Sequence, residues 1–157
     1  MRKNIVPRET SDEVDNEHDW LDLGKLAQVE INSEDPAHPI ESALQPDGGA
    51  GWRAADPGTQ VVRLIFDQPL TIERVHLLFT EKDRTRTQEF VLRWSADHGR
   101  TYREIVRQQY NFNPPGTTSE HEDYTVDLSG VTILELDITP DISGSGARAS
   151  LARFCLA

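Results

Sequence analysis

The chain has a single cysteine, Cys155, so no internal disulfide can staple it. That residue lies in a terminal apolar run, where a buried, inert thiol is expected. Bases are scarce beside acids: 16 Lys and Arg stand against 27 Asp and Glu, for a net charge of −11. Such a field repels phosphate, which excludes a general nucleic-acid binder and disfavours an anionic membrane as partner. No stretch approaches the roughly 20 apolar residues of a membrane span. The opening Met1-Arg2-Lys3-Asn4, followed by Ile5 and Val6, lacks the apolar core of a secretory signal, so a cytoplasmic location is expected. Catalytic signatures are missing as well: there is no G-x-S-x-G, no H-E-x-x-H and no phosphate-cradling glycine loop. His18, His38, His76, His98 and His121 show no zinc-ligand spacing with one another or with Cys155. No enzyme, no metal and no cofactor are expected.

What is present is β-structure. A length of 157 residues suits one domain, and nine Pro with ten Gly suit a loop-rich β-protein better than a helical one. Residues 1–25 read as an acidic arm, with Glu9, Asp12, Glu13, Asp15, Glu17, Asp19 and Asp22 nearly unopposed by bases. Within it, Trp20-Leu21-Asp22-Leu23 is apolar enough to dock on the domain that follows, residues 26–157. Strands are expected at 26–31, 60–66, 70–80, 87–95, 101–110, 121–128, 131–139 and 149–156. Period-2 alternation is clear in Phe90, Leu92 and Trp94, and in Leu134, Leu136 and Ile138. Turn signals separate the strands: Asp67-Gln68-Pro69, Asp97-His98-Gly99, Pro114-Pro115-Gly116 and Ser129-Gly130. No amphipathic helix of three turns can be written, although Pro39 to Leu44 allow one short turn with Pro39 first. The expected fold is all-β, a jelly-roll β-sandwich of about eight antiparallel strands. Its core should include Val62, Leu64, Phe66, Leu77, Phe79, Phe90, Leu92, Trp94, Val126, Leu134, Leu136 and Leu151.

Specific segments resemble a known family. Gly51-Trp52-Arg53 leads through Pro57-Gly58-Thr59-Gln60 into a β-run with Val62, Leu64 and Phe66, and a second run ends in Leu77-Leu78-Phe79. Ser95-Ala96-Asp97-His98-Gly99-Arg100-Thr101-Tyr102 is similar to a hairpin written S-x-D-G-x-x-[WY], and Ala149 to Phe154 is similar to a closing strand. Together, over residues 28–157, these resemble the discoidin family, the C-type domains of coagulation factors and their bacterial galactose-binding-like relatives. The resemblance implies a galactose-binding-domain-like sandwich that holds a ligand rather than transforming one. Many relatives hold a structural calcium through an Asp-Gly pair, a Thr two residues before the Trp, and a Glu in the last strand. Here Asp47-Gly48 matches the pair, but Ala50 replaces the Thr and Arg153 stands in place of the Glu. A guanidinium there removes a ligand and sets a positive charge where the cation would sit, so Arg153 is expected to pair with a first-loop acid, Asp47 foremost.

The resemblance also implies a saccharide site on loops at one end of the sandwich. Three loops offer the chemistry, aromatic faces for the C–H side of a pyranose and forked donors for its hydroxyls. The first carries His38 and, beyond its turn, Trp52 and Arg53; the second, Glu81 to Gln88, carries Arg84 and Arg86; the third carries Tyr110, Asn111 and Phe112. Each has a second role open to it. Trp52 can pack under its loop, His38 can sit idle at the surface, Arg84 and Arg86 can pair with nearby acids, and Tyr110 and Phe112 share a strand face and can be core. Glu120-His121-Glu122-Asp123 reads as a solvated strand edge. The loop from Pro140 to Arg148 is built of small residues and offers no aromatic. Carbohydrate is the first expected ligand and a protein partner the second; oligomeric state is not legible.

Overall fold

The computed structural model describes residues 20–46 and 49–157. In chain order the elements are α1 (Leu23–Leu26), β1 (Ala27–Ile31), α2 (Glu41–Leu44), β2 (Trp52–Pro57), β3 (Gln60–Thr80), β4 (Arg86–Ser95), β5 (Arg103–Phe112), β6 (Ser119–Thr139), β7 (Arg148–Leu151) and β8 (Arg153–Leu156). These strands pair antiparallel with one another. The main sheet runs β1-β3-β6-β4-β5 with β8 also on β3, and β2 pairs with β7 apart from it.

The long strands β3 and β6 make this one folded-over sheet. The first half of β3 pairs with β1 and with the second half of β6, while its second half pairs with β8 and with the first half of β6. Register shifts fall between Ile65 and Arg74, where the chain bends and the core-facing set changes parity. Before the bend Val62, Leu64 and Phe66 point inward; after it Val75, Leu77 and Phe79 do. The expected turns at Asp67-Gln68-Pro69 and Ser129-Gly130 are therefore irregularities inside continuous strands, and four expected strands are two.

Other boundaries move for local reasons. The expected strand 149–156 breaks at Ala152, whose N–H donates to Leu78 O at 2.8 Å, because β7 pairs with β2 and β8 with β3. β2 itself was not anticipated, since Trp52 to Pro57 contains no β-branched residue. Leu26 belongs to α1 rather than to the first strand, and β5 starts at Arg103 because Thr101 is held in the preceding turn. Ile40 caps α2, so Pro39 precedes the helix instead of opening it.

Ten of the expected core residues are buried; Trp94 and Val126 are only partly covered. Val126 lies in the half of β6 that pairs with β3 alone and so forms an edge, and Trp94 is capped by the Arg103 guanidinium 6.0 Å from its ring. Leu23 is buried, Leu21 N–H donates to Leu156 O at 2.8 Å, and Trp20 packs on His76, so residues 20–25 belong to the packed body. Cys155 is a buried free thiol.

The Ser95–Tyr102 hairpin shows why its residues are needed. Ser95 Oγ accepts the N–H groups of Asp97 and Gly99, and Asp97 accepts the N–H and hydroxyl of Thr101. Gly99 has φ of 87°, and a Cβ there would press on Tyr102 and Ile133 at 3.2 Å.

Candidate functional site

A shallow depression of about 180 Å³ opens where the β2–β7 ribbon meets the loop after β3. Its floor is built by backbone bonds. Arg53 N–H donates to His38 O at 3.2 Å, and Arg53 O accepts from Asp35 N–H at 2.8 Å, so the Asp35–His38 turn is clipped onto β2. Arg53 is paired with Ser150 across the ribbon, and Arg148 lies two residues before Ser150 on the same face. Ala54, Ala149 and Leu151 alternate with these polar residues and are buried. Gly51, at φ 77°, brings the first loop so close that a Cβ there would meet Leu151 O at 2.9 Å.

The opposite wall is the loop from Glu81 to Asp83. Glu81 Oε2 accepts the N–H groups of Asp83 and Arg84 at 3.0 and 3.3 Å, and Glu81 Oε1 accepts from Arg86 Nε at 2.7 Å. Burial alone pushes the Glu81 carboxyl up, but the Arg86 bond and the two amides outweigh it and hold its pKa below the ordinary value. The loop therefore presents Lys82 and Asp83 at the rim from a fixed base. Above the ribbon, His38 Nδ1 stands 3.7 Å from Asp35 Oδ2, too far for a hydrogen bond, and is buried without a partner.

The structure divides the eight expected site residues. His38 and Arg53 line this depression, and Arg53 is exposed. Trp52 borders it but is 1% exposed, with Nε1 donating to Ser33 O at 3.1 Å; it is a structural wall, not a stacking face. Arg86 is 3% exposed and bonded to Glu81, to Gln88 Oε1 at 2.7 Å and to Pro140 O at 2.6 Å, while its guanidinium stacks 4.8 Å from the Phe112 ring. These bonds make it a girder between the start of β4 and the Glu81 loop. Phe112 is fully buried, and the half-buried Tyr110 joins Phe79, Phe90 and Phe112 in an aromatic cluster, its phenol pushed above the usual range mainly by burial. The apolar β5 face claimed both rings. Asn111 lies on a separate shelf with Thr85, Asn113 and Ile142, and accepts from Thr87 Oγ1 at 2.6 Å. Arg84 is exposed and reaches Ser145 O at 3.5 Å, beside the depression rather than in it.

Arg148 and Ser150 were missed by the sequence reading. Their signal was faint: polar positions alternating with the small, buried Ala147 and Ala149 at the end of a loop of small residues. Asp123, in the expected solvated edge, is exposed, with Oδ1 2.9 Å from His76 Nδ1 and 3.3 Å from an Arg74 nitrogen. Arg153 makes no ion pair among the described residues, and its Nε is buried without a hydrogen-bond partner; Asp47, its expected partner, lies outside them. No group of three potential metal ligands occurs among the described residues.

No protein-family model and no curated protein sequence matches the chain. Solved structures do. It superposes on the family 32 carbohydrate-binding module of AlyQ in complex with 4,5-unsaturated mannuronic acid, with TM-score 0.62 and 16% identity over 89% of this chain and 98% of that one. The fold is that of the family 32 carbohydrate-binding modules. A Clostridium perfringens example, the family 32 module of NanJ in complex with galactose, gives TM-score 0.60 and 14% identity, covering 87% and 96% of the two chains. A pectin-binding module gives 0.58 and 17%, covering 83% and 89%. The discoidin-type, galactose-binding-like sandwich expected from the sequence is thus the fold observed.

Proposed function

We propose that this chain is a non-catalytic carbohydrate-binding module that holds a saccharide in the pocket of His38, Arg53, Lys82, Asp83, Arg148 and Ser150. The observation that carries the reading is this convergence of exposed forked donors and a carboxylate acceptor in one depression on a carbohydrate-module fold. Hydroxyl-rich ligands need both kinds of partner at once. Its neighbours in fold include modules solved with mannuronic acid and with galactose, and one that binds pectin, which supports a saccharide as the ligand class. A depression of about 180 Å³ is below the ~300–1,000 Å³ usual for drug-sized ligands and suits one or two sugar rings. Affinity is expected in the micromolar to millimolar range, about −4 to −8 kcal/mol, because little surface is desolvated.

A glycan array followed by calorimetry tests the reading. At least one glycan should bind, and Arg53→Ala and Arg148→Ala should each weaken it while the melting curve stays in place. Binding by no glycan at millimolar concentration would sink it. One observation favours a second reading, a protein-interaction domain: among the described residues the pocket has no well-exposed aromatic ring, since Trp52 is buried.

A further inference from the structure

We infer that the pocket selects an acidic saccharide, a uronate whose carboxylate is gripped between Arg53 and Arg148. The inference rests on the saccharide reading above and narrows it. The chain carries −11, and acids take up many of its cations: Arg63 pairs with Glu30 and Glu135, Arg74 with Asp123, Arg86 with Glu81, Arg93 with Asp137, and Arg107 with Glu89 and Glu104. Arg53, Lys82 and Arg148 make no ion pair among the described residues, yet all three line the same depression. Gathering three unpaired cations in a chain with surplus acids costs mutual repulsion, which a bound anion relieves.

Geometry narrows the anion. Arg53 faces Ser150 across the ribbon, and Arg148 projects from the same face two residues away, a step of about 7 Å along the strand. Two long side chains rooted that far apart can close their forks on one small group between them. A guanidinium fork matches the two oxygens of a carboxylate. The Arg53 backbone is bonded on both sides to the Asp35–His38 turn, so one fork has a rigid root. Of the acids at the pocket, Glu81 is already occupied by Arg86 and two amides, which leaves Asp83 at the rim. Asp83 would repel a bare anion such as phosphate, but it accepts hydroxyl donors. A sugar acid uses the cations and Asp83 together.

The test is calorimetry on the whole chain with oligogalacturonate, oligomannuronate, the methyl ester of each, and a neutral galactose oligosaccharide. One uronate should bind about tenfold or more tighter than the neutral sugar, and its methyl ester should lose that advantage. Arg53→Lys and Arg148→Lys keep the charge and lose the fork, so each should narrow the acid-to-neutral ratio. Equal binding of acid, ester and galactose would overturn the inference and leave the saccharide reading standing. A sulfated galactose preferred over both uronates would also overturn it. Failure of every sugar would instead remove the reading on which it rests.

Discussion

Arg86 Nε donates to Glu81 Oε1 at 2.7 Å, and the arginine side chain is 1% exposed against 18% for the glutamate. The pair links the buried start of β4 to the loop that carries Lys82 and Asp83, so a charge inside the sandwich sets the position of a loop outside it. Removing one side of such a pair leaves the other charge without compensation. Arg86→Ala should therefore destabilise the domain by about 3–5 kcal/mol. Glu81→Gln, which keeps an acceptor for the Asp83 and Arg84 amides, should cost less, about 1.5–3 kcal/mol. Urea denaturation at neutral pH measures both; a cost below that of an ordinary surface substitution for Arg86→Ala would refute the girder role.

Acid should loosen the same end of the molecule. The Asp141 carboxyl lies at about 2 instead of 3.8, because the Ser145 hydroxyl and then the Ser143 amide and hydroxyl donate to it. Glu81 is lowered too. A carboxyl with a folded pKa below its unfolded one adds stability that is complete above the unfolded value and fades as pH falls through the folded value. Stability should hold steady above about pH 5 and decline between roughly pH 4 and 2. Asp141→Asn should be less stable than the parent at pH 7, with the gap shrinking toward pH 2. A gap of constant size across that range would count against the assignment.

Trp52 is expected to matter for stability first. Its ring is buried and its Nε1–H is bonded to Ser33 O, so Trp52→Ala should cost about 3–5 kcal/mol. Trp52→Phe keeps most of the packing and loses one hydrogen bond, so about 1 kcal/mol is expected. Chemical denaturation of the two variants side by side gives the comparison, and equal losses would mean that the hydrogen bond, not the packing, dominates.

Arg153 presents the reverse case. Its Nε is buried without an acceptor, a group whose removal can be neutral or favourable. Arg153→Met fills similar volume without the donor, and its melting temperature should equal or exceed that of the parent. A fall of several degrees would show that the guanidinium holds an acid after all, as its place in the last strand led us to expect.

Much of the fold could be read from residue order. The alternation of Phe90 with Leu92 and of Leu134 with Leu136 and Ile138 marks strands with one buried face, and these residues are in the core. The hairpin at Ser95–Tyr102 is equally legible, because the bonds made by its Ser95 and Asp97 side chains join residues within four positions of one another. β2 was not, because Trp52 to Pro57 has weak strand character and is held as a strand by pairing with β7, far along the chain. Nor was the continuity of β3 and β6, since a bulge and a turn use the same Gly, Pro and Asp residues and differ only in whether the ladder resumes beyond them.

The candidate site divides along the same line. Chain order by itself determined the strand periodicity, the acidic balance and the loops on which binding chemistry could lie, because each depends on neighbours in sequence. Which side chains face a ligand was decided by tertiary structure. Arg86 and Phe112 alternate on strands as any site residue would, yet the space between the layers took them in, as the loop packing took in Trp52. Arg148 looked like the end of a featureless loop until the β2–β7 pairing set it beside Arg53. Burial and long-range pairing are properties of the folded chain, and they alone separate a supporting arginine from one that is free to bind.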